Sequence, residues 1–358
     1  MGMIWCVCKD PGGTNGVLPV AKKLTEMGHT SIIIPNGKAL ELLPNMGIEF
    51  FTLDKALEVA PLPDVVVTSM CSEGGVGRNL VPLMRLARIP VVALQDYWGT
   101  RLVDSWQNAA YRPDYICVND EICAELVMKA WTDFRTTGIK ITGFPMLDKY
   151  AAKNGDKTEA RKKVAEKLGL DKDWPIIALP VGIFHGASGT LREVGQALRQ
   201  TGRLTYFVPR YHPRMAENAP EEVNLWIKAL GSCNRNGLVI DSSACKTPEI
   251  LEAADLVISE YSTSLLEASV LGKPTISIFY MPAAQELFHK EFGDLMDEPP
   301  FVTLGLTYSA RNTDDLAELI SLALDKGPRN LKAQEDFIRN HVDGKNAERV
   351  AEFVSSLI

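Results

Sequence analysis

Three carboxylates in the first half of the chain stand where a general base for a hydroxyl would be needed. Asp10 lies in Lys9-Asp10-Pro11-Gly12-Gly13-Thr14-Asn15-Gly16, Glu73 in Ser72-Glu73-Gly74-Gly75-Val76-Gly77-Arg78, and Asp96 in Gln95-Asp96-Tyr97-Trp98-Gly99-Thr100-Arg101. Each follows a short apolar run, so each reads as a loop at the carboxyl end of a strand. Glycines let the backbone approach a ligand, and amides at a helix start can hold a negative group, which makes Gly12 and Gly13 phosphate-binding candidates. The same stretch also reads as a plain turn capped by Asn15. It is not a dinucleotide fingerprint: GxGxxG is absent, and the next apolar run ends Ile34-Pro35-Asn36 without an acidic residue. The loop around Asp96 adds two aromatic rings and a guanidinium, a mixture that suits sugars and bases.

The second half offers hydroxyls and cations instead. Val181-Gly182-Ile183-Phe184-His185-Gly186-Ala187-Ser188-Gly189 sets His185 before a helix, where it could exchange a proton. Pro209-Arg210-Tyr211-His212-Pro213-Arg214 gathers two arginines, able to clamp phosphate, around His212. The most informative stretch runs from a buried strand into Glu260-Tyr261-Ser262-Thr263-Ser264-Leu265-Leu266-Glu267. Here Glu260 ends the strand, while the hydroxyls of Ser262, Thr263 and Ser264 join free helix amides in a phosphate cradle. Glu267, one turn into the helix, could take both hydroxyls of a ribose. Ser264-Leu265-Leu266-Glu267 is equally a capping box, which needs no ligand but leaves Ser262 and Thr263 without a role.

These loops need a scaffold that brings them to one edge. Apolar runs predict strands at Met3–Cys8, Ser31–Ile34, Ile48–Leu53, Val65–Ser69, Val91–Leu94, Tyr115–Val118 and Lys140–Thr142, with a first helix over Asn15–Met27. A polar, charged stretch from Lys149 to Lys172 then precedes a second series at Ile176–Leu179, Leu204–Val208, Leu238–Ile240, Leu256–Ser259 and Thr275–Phe279. Continuous apolar strands alternating with amphipathic helices indicate parallel sheets covered on both faces. The expected architecture is α/β: two Rossmann-like, doubly wound domains facing a cleft, over residues 1–152 and 153–335, with a C-terminal helix in 336–358. Ligands of such sheets bind at the carboxyl ends of the strands.

Composition narrows the function. The chain has 358 residues, 46% of them apolar and 23% charged, enough for sizeable cores. A net charge of −7 argues against a nucleic-acid polymer as partner. Seven cysteines form no CxxC pair, which suits buried free thiols in a reducing compartment; Cys6 and Cys8 have no second pair with which to hold zinc. No apolar run is long enough to span a bilayer, so a cytoplasmic protein is expected, with peripheral membrane contact and homodimerisation left open.

The strand–Glu-Tyr-Ser-Thr-Ser–helix segment and Leu271-Gly272-Lys273-Pro274 resemble the donor-nucleotide motif of GT-B type glycosyltransferases. Relatives of these enzymes include the UDP-N-acetylglucosamine 2-epimerases and the CDP-glycerol glycerophosphotransferases. Thr142-Gly143-Phe144-Pro145-Met146-Leu147-Asp148, Tyr211-His212-Pro213 and Asp343-Gly344-Lys345 resemble further landmarks of the group, in family order. The resemblance implies an acceptor domain (1–152), a nucleotide-donor domain (153–335) and a last helix crossing back to the first. It implies a metal-independent reaction without a cofactor. A nucleotide-sugar serves as co-substrate, with a nucleoside diphosphate or CMP leaving, and the acceptor is a glycan, a lipid-linked molecule or a small molecule. On that reading Ser262, Thr263 and Ser264 hold phosphate, Glu267 the ribose, Glu260 is a further nucleotide contact, and Arg210 and His212 lie near the diphosphate. Asp96, then Asp10, then Glu73 are candidates for the base. The chain lacks the His-Arg-Arg-Glu run of the epimerases, sharing only His185. It also lacks the N-terminal His-Gly pair of the glycerophosphotransferases, since His29 is the only histidine of that half. The expected activity is therefore glycosyl transfer, with epimerase, polyol-phosphate transferase and a catalytically inactive nucleotide-binding protein as the alternatives.

Overall fold

A computed structural model of the chain describes residues 1–71, 75–151, 157–212, 215–233, 239–240 and 243–358. Glu73 and Arg214 lie outside the described residues. By internal contact the chain divides into two units: Met1–Ala152 with Glu291–Met296 and Asn340–Ile358, and Lys153–Lys290 with Asp297–Arg339.

The first unit is built on six parallel strands: β1 (Met3–Cys8), β2 (Thr30–Pro35), β3 (Val65–Ser69), β4 (Val91–Leu94), β5 (Tyr115–Val118) and β6 (Ile139–Ile141), in the order β2-β1-β3-β4-β5-β6. Cys6 pairs with Ile33 on one side and Val67 on the other. Valine and isoleucine dominate because both faces of the central strands are covered; every residue of β3 is buried. The helix Pro11–Glu26 lays Val17, Val20, Ala21 and Leu24 against Ile4, Cys6, Cys8, Val65 and Val67. The helix Asn346–Ser355 adds Ala347, Val350, Ala351 and Val354 to the same cluster. Each such side chain contributes about 1.5–3 kcal/mol on full burial. The chain winds one way from β1 to β2 and the other way from β3 onward, so the β1 and β3 ends flank a topological switch point.

Two expectations for this unit need correction. The first helix starts at Pro11, not near Asn15: Asp10 is its N-cap, accepting from the Gly13 amide at 2.9 Å, and Pro11 takes the first position, where its missing N–H costs nothing. Ile48–Leu53 is not a strand. Only the Phe51 amide reaches Ile33 of the edge strand, and Thr52 then accepts from Lys55 to cap the helix Leu53–Val59. A local cap has overridden β-prone residues there.

The C-terminal segment is fastened by one carboxylate. Asp148 accepts from the Asn346 amide at 3.1 Å, the Asn346 side chain at 2.7 Å and the Ala347 amide at 2.8 Å. Asn346, wholly buried, also donates to the carbonyls of Phe144 and His341. Asp343 pairs with Arg349, whose Nε reaches the Thr142 carbonyl. The two motifs, Thr142–Asp148 and Asp343–Lys345, are thus halves of one hydrogen-bonded joint.

The second unit has five parallel strands: β7 (Ile176–Pro180), β8 (Tyr206–Arg210), β9 (Leu256–Ser259), β10 (Thr275–Ser277) and β11 (Tyr308–Ser309), in the order β11-β10-β9-β7-β8. Its switch point falls between β7 and β9. Of the expected strand Leu238–Ile240, the described part makes a single bridge, Val239 to Phe207, and Leu238 lies outside the described residues. The two-residue β11 and the helix Pro282–Phe292 were not legible as apolar periodicity. All seven cysteines are free thiols, Cys233 half-buried and the others buried. Among the described residues no helix is long and apolar enough to cross a membrane.

Removing the joint should uncouple the last helix. Asp148→Ala leaves three donors without their acceptor, two of them backbone amides at a helix start, and should lower stability by about 2–4 kcal/mol. Urea unfolding followed by circular dichroism measures this; an unchanged midpoint would show the joint to be dispensable.

Candidate active site

In the first unit the switch point is crowded by carboxylates. Asp10 follows β1 by two residues and caps the first helix; Asp96 follows β4 by two residues and lies against the start of the same helix. A Cβ on Gly12 would sit 2.4 Å from Asp96 Oδ2 and 3.8 Å from Asp10 Oδ1, and one on Gly13 would sit 2.1 Å from Ser69 Oγ. Only glycine permits either approach. Burial first, and the neighbouring Asp10 charge second, push the Asp96 carboxyl up to about 7, against the pull of the Arg101 guanidinium. Arg101 is itself held by Asp104 at 2.7 Å. A carboxyl poised near neutrality suits a general base.

This geometry corrects the reading of Gly12 and Gly13 as a phosphate loop. The Gly13 amide is already taken by Asp10, and a second carboxylate stands at Gly12, so an anion would meet two negative groups. The aromatic pair after Asp96 is corrected as well. Tyr97 and Trp98 are buried, packed on each other, on Phe292 and on Phe144, while the Trp98 indole donates to Asp120 at 2.6 Å. They belong to the packed core and offer no stacking face.

Beneath Asp96 lies a cavity of about 10 Å³, bounded by the first helix, the ends of β3, β4 and β5, and the segment Phe144–Met146. Ser69, Gln95, Asp96 and Asn119 line it. Of these residues, Ser69 Oγ, both amide atoms of Gln95, Asp96 Oδ1 and both amide atoms of Asn119 are buried without a hydrogen-bond partner among the described residues. An orphaned buried group costs about 1–3 kcal/mol, so a cluster of them suits a polar guest. Ser69, Gln95 and Asn119 were not singled out from sequence. Their common signal is a polar residue closing or directly following an apolar strand run. Pro145 and Met146 also wall a larger apolar cavity of about 620 Å³, with Leu18, Ile33, Met46 and Ile48 on its other sides.

In the second unit the carboxylates are turned inward. Glu260 is fully buried and accepts from the Gly182 amide at 2.9 Å and Thr190 Oγ1 at 2.8 Å; burial raises its pKa. It braces the β7 and β9 loops, with both oxygens occupied by groups of the chain, which leaves none for the nucleotide contact that the resemblance implies. Glu222 accepts from the Ser188 amide at 2.7 Å and the Gly186 amide at 3.3 Å, capping the helix Ala187–Thr201 from a neighbouring helix.

What these carboxylates leave exposed is the start of the helix Thr263–Val270. Its cap is Ser262, which accepts from the Ser264 amide at 3.2 Å, so Ser264 and Glu267 do not form the expected capping box. Ser262 and Thr263 are half-buried at the switch point, while Ser264 and Glu267 are 8% exposed. Arg210 ends β8 and donates to the Cys245 carbonyl; His212 packs edge-on against Phe184 at 4.7 Å. His185 is exposed, 3.2 Å from Glu221, which places it on the surface of the unit rather than in an enclosed catalytic setting. Among the described residues no cluster of His, Cys, Asp and Glu has metal-binding geometry.

Comparison with known proteins agrees with the two-sheet α/β fold. A family model described as CDP-Glycerol:Poly(glycerophosphate) glycerophosphotransferase matches residues 91–356. No curated protein matches the chain. Among solved structures, the UDP-GlcNAc 2-epimerase from Neisseria meningitidis bound to UDP-GlcNAc is similar at TM-score 0.71 and 14% identity, over 99% of this chain and 100% of that one. The wall teichoic acid polymerase TagF, soaked with CDPG, is similar at TM-score 0.61 and 14% identity, over 99% of this chain and 88% of that one. The glycosyltransferase of kitacinnamycin gives TM-score 0.63 and 13% identity, over 99% of each chain. The fold is that of the GT-B superfamily.

The raised pKa of Asp96 has a signed consequence for stability. The folded carboxyl keeps its proton up to about pH 7, whereas the unfolded one loses it near ~3.9. Its cost to folding is therefore absent below about pH 4, grows to pH 7 and is constant above. Asp96→Asn should match the parent near pH 4 and exceed its stability by about 2–4 kcal/mol at pH 8. Denaturant unfolding at the two pH values tests this; a gain independent of pH would contradict the assignment.

Proposed function

The chain belongs to the CDP-glycerol:poly(glycerophosphate) glycerophosphotransferase family, and from that premise we propose that it transfers a polyol-phosphate group from a CDP-activated donor to an acceptor hydroxyl. The observation that carries this reading is the Asp96 carboxyl, held near neutrality against Gly12 at the carboxyl edge of the first sheet. Asp96 takes the proton of the acceptor hydroxyl, and the freed oxygen bonds to the donor's phosphorus. The phosphorus–oxygen bond to CMP breaks, and CMP leaves with the electron pair. In the second unit the Ser262 and Thr263 hydroxyls, the helix amides behind them and Arg210 hold phosphate, and Glu267 holds the ribose. The chemistry requires no cofactor. The apolar cavity walled by Pro145 and Met146 supports an acceptor carrying an apolar portion, such as a lipid-linked one.

A second reading is transfer of a glycosyl group from a nucleotide-sugar, and one observation favours it. The glycerophosphotransferases place a histidine in the N-terminal half, but His29 here accepts from the Gly2 amide at 3.2 Å and bonds Ser355 at 2.9 Å, away from the carboxyl edge. A carboxylate base serves either donor, so the released nucleotide decides: CMP for the first reading, UDP or another diphosphate for the second.

Asp96→Asn should lower turnover roughly a hundredfold or more while leaving donor affinity nearly unchanged. Steady-state release of nucleotide beside equilibrium donor binding measures the split, and surviving turnover would pass the role to Asp10. Glu267→Ala should weaken nucleotide binding by roughly 1–3 kcal/mol, since truncation removes charge-assisted hydrogen bonds. Unchanged affinity by calorimetry would leave Glu267 a structural residue.

A further inference from the structure

We infer that Ser69, Gln95 and Asn119 form, with Asp96 Oδ1, a subsite for a single hydroxyl oxygen, contributed by a polyol or sugar acceptor or by a water that holds its place. The three side chains come from the ends of β3, β4 and β5 and are 1%, 2% and 1% exposed. All three residues line one cavity of about 10 Å³, room for a single oxygen-sized group, and all three carry buried polar atoms without a partner among the described residues.

The chemistry of the lining selects the guest. The amides of Gln95 and Asn119 present both donors and acceptors, while Oδ1 of the ionised Asp96 only accepts. A hydroxyl donates one proton and accepts from others, so it can satisfy the carboxylate and an amide N–H together. A phosphate or carboxylate would face the negative charge of Asp96 with Asp10 nearby. An ammonium group would leave both amide N–H groups unmet, and an apolar group would leave all of them unmet. The inference rests on the reading of Asp96 as the base and adds the positioning residues that hold its inner oxygen, leaving Oδ2 on the Gly12 side.

The test uses the full chain without any donor. Crystals are grown free of polyols and compared with crystals soaked in glycerol, for the parent, Asn119→Leu and Gln95→Met. In parallel, the Asp96 carboxyl is titrated by carbon NMR. The parent should show one oxygen-sized peak within hydrogen-bond reach of Asp96 Oδ1, Asn119 and Gln95. Persistence of that peak after soaking identifies a water, and replacement by a glycerol oxygen identifies an acceptor subsite. Asn119→Leu should remove the peak and raise the Asp96 midpoint by roughly one pH unit, because the charged form loses a donor. If Asn119→Leu does not fold, Gln95→Met should give the same changes. A parent without the peak in both crystals, or a midpoint unmoved by a folded variant, would overturn the inference. Because no turnover is measured, a failed transferase reading would leave these results standing, and the reverse holds too.

Discussion

The close approach of the Asp96 carboxylate to Gly12 is the constraint around which the first unit is arranged. It requires the absence of a side chain at residue 12, and the parallel approach of Ser69 requires the same at residue 13. It also requires a helix that begins at once after β1, which Pro11 and the Asp10 cap provide. The helix N-terminus offers partial positive charge, which lowers the cost of placing two carboxylates there. Even so, burial outweighs that compensation and Asp96 holds its proton to about pH 7. A strand order that reverses between β1 and β3 opens the crevice in which this happens.

The two units divide the electrostatics between them. At the first carboxyl edge, acidic groups stand at the switch point, favouring a neutral, hydroxylated guest and proton transfer. In the second, Glu222 and Glu260 are consumed by backbone amides and a threonine hydroxyl, which fixes the loops and turns negative charge away from the carboxyl edge of the sheet. The start of the helix Thr263–Val270 is left with hydroxyls and amides, the chemistry of an anion site. Similar βα frameworks thus carry opposite preferences, set by whether a loop carboxylate points at the crevice or into the scaffold.

Much of this was legible in the sequence. Apolar runs gave most strands of both sheets, because strands buried on both faces need continuous hydrophobic residues. The loops bearing Asp10, Asp96 and Ser262–Glu267 followed from glycines and hydroxyls at strand ends. What escaped depended on tertiary partners. Glu260 sits in a motif that reads as a ligand loop, yet its partners Gly182 and Thr190 lie 78 and 70 residues away in the chain. Tyr97 and Trp98 look like stacking residues until Phe144 and Phe292 are packed on them. Ile48–Leu53 has strand composition, but Thr52 caps a helix instead. Gln95 and Asn119 are unremarkable in type and gain meaning only from sharing one cavity.

The most direct measurement is a thermal-shift comparison of CMP, CDP, UDP, GDP, ADP and dTDP, with and without a chelator. Binding at a hundredfold excess over the dissociation constant stabilises the folded state by about 2.7 kcal/mol. The account predicts selective stabilisation by the cytidine nucleotides, unaffected by the chelator. Selective stabilisation by UDP would move the chain to the nucleotide-sugar reading. No shift with any nucleotide at millimolar concentration would contradict the donor site at Ser262–Glu267 and, with it, the central claim.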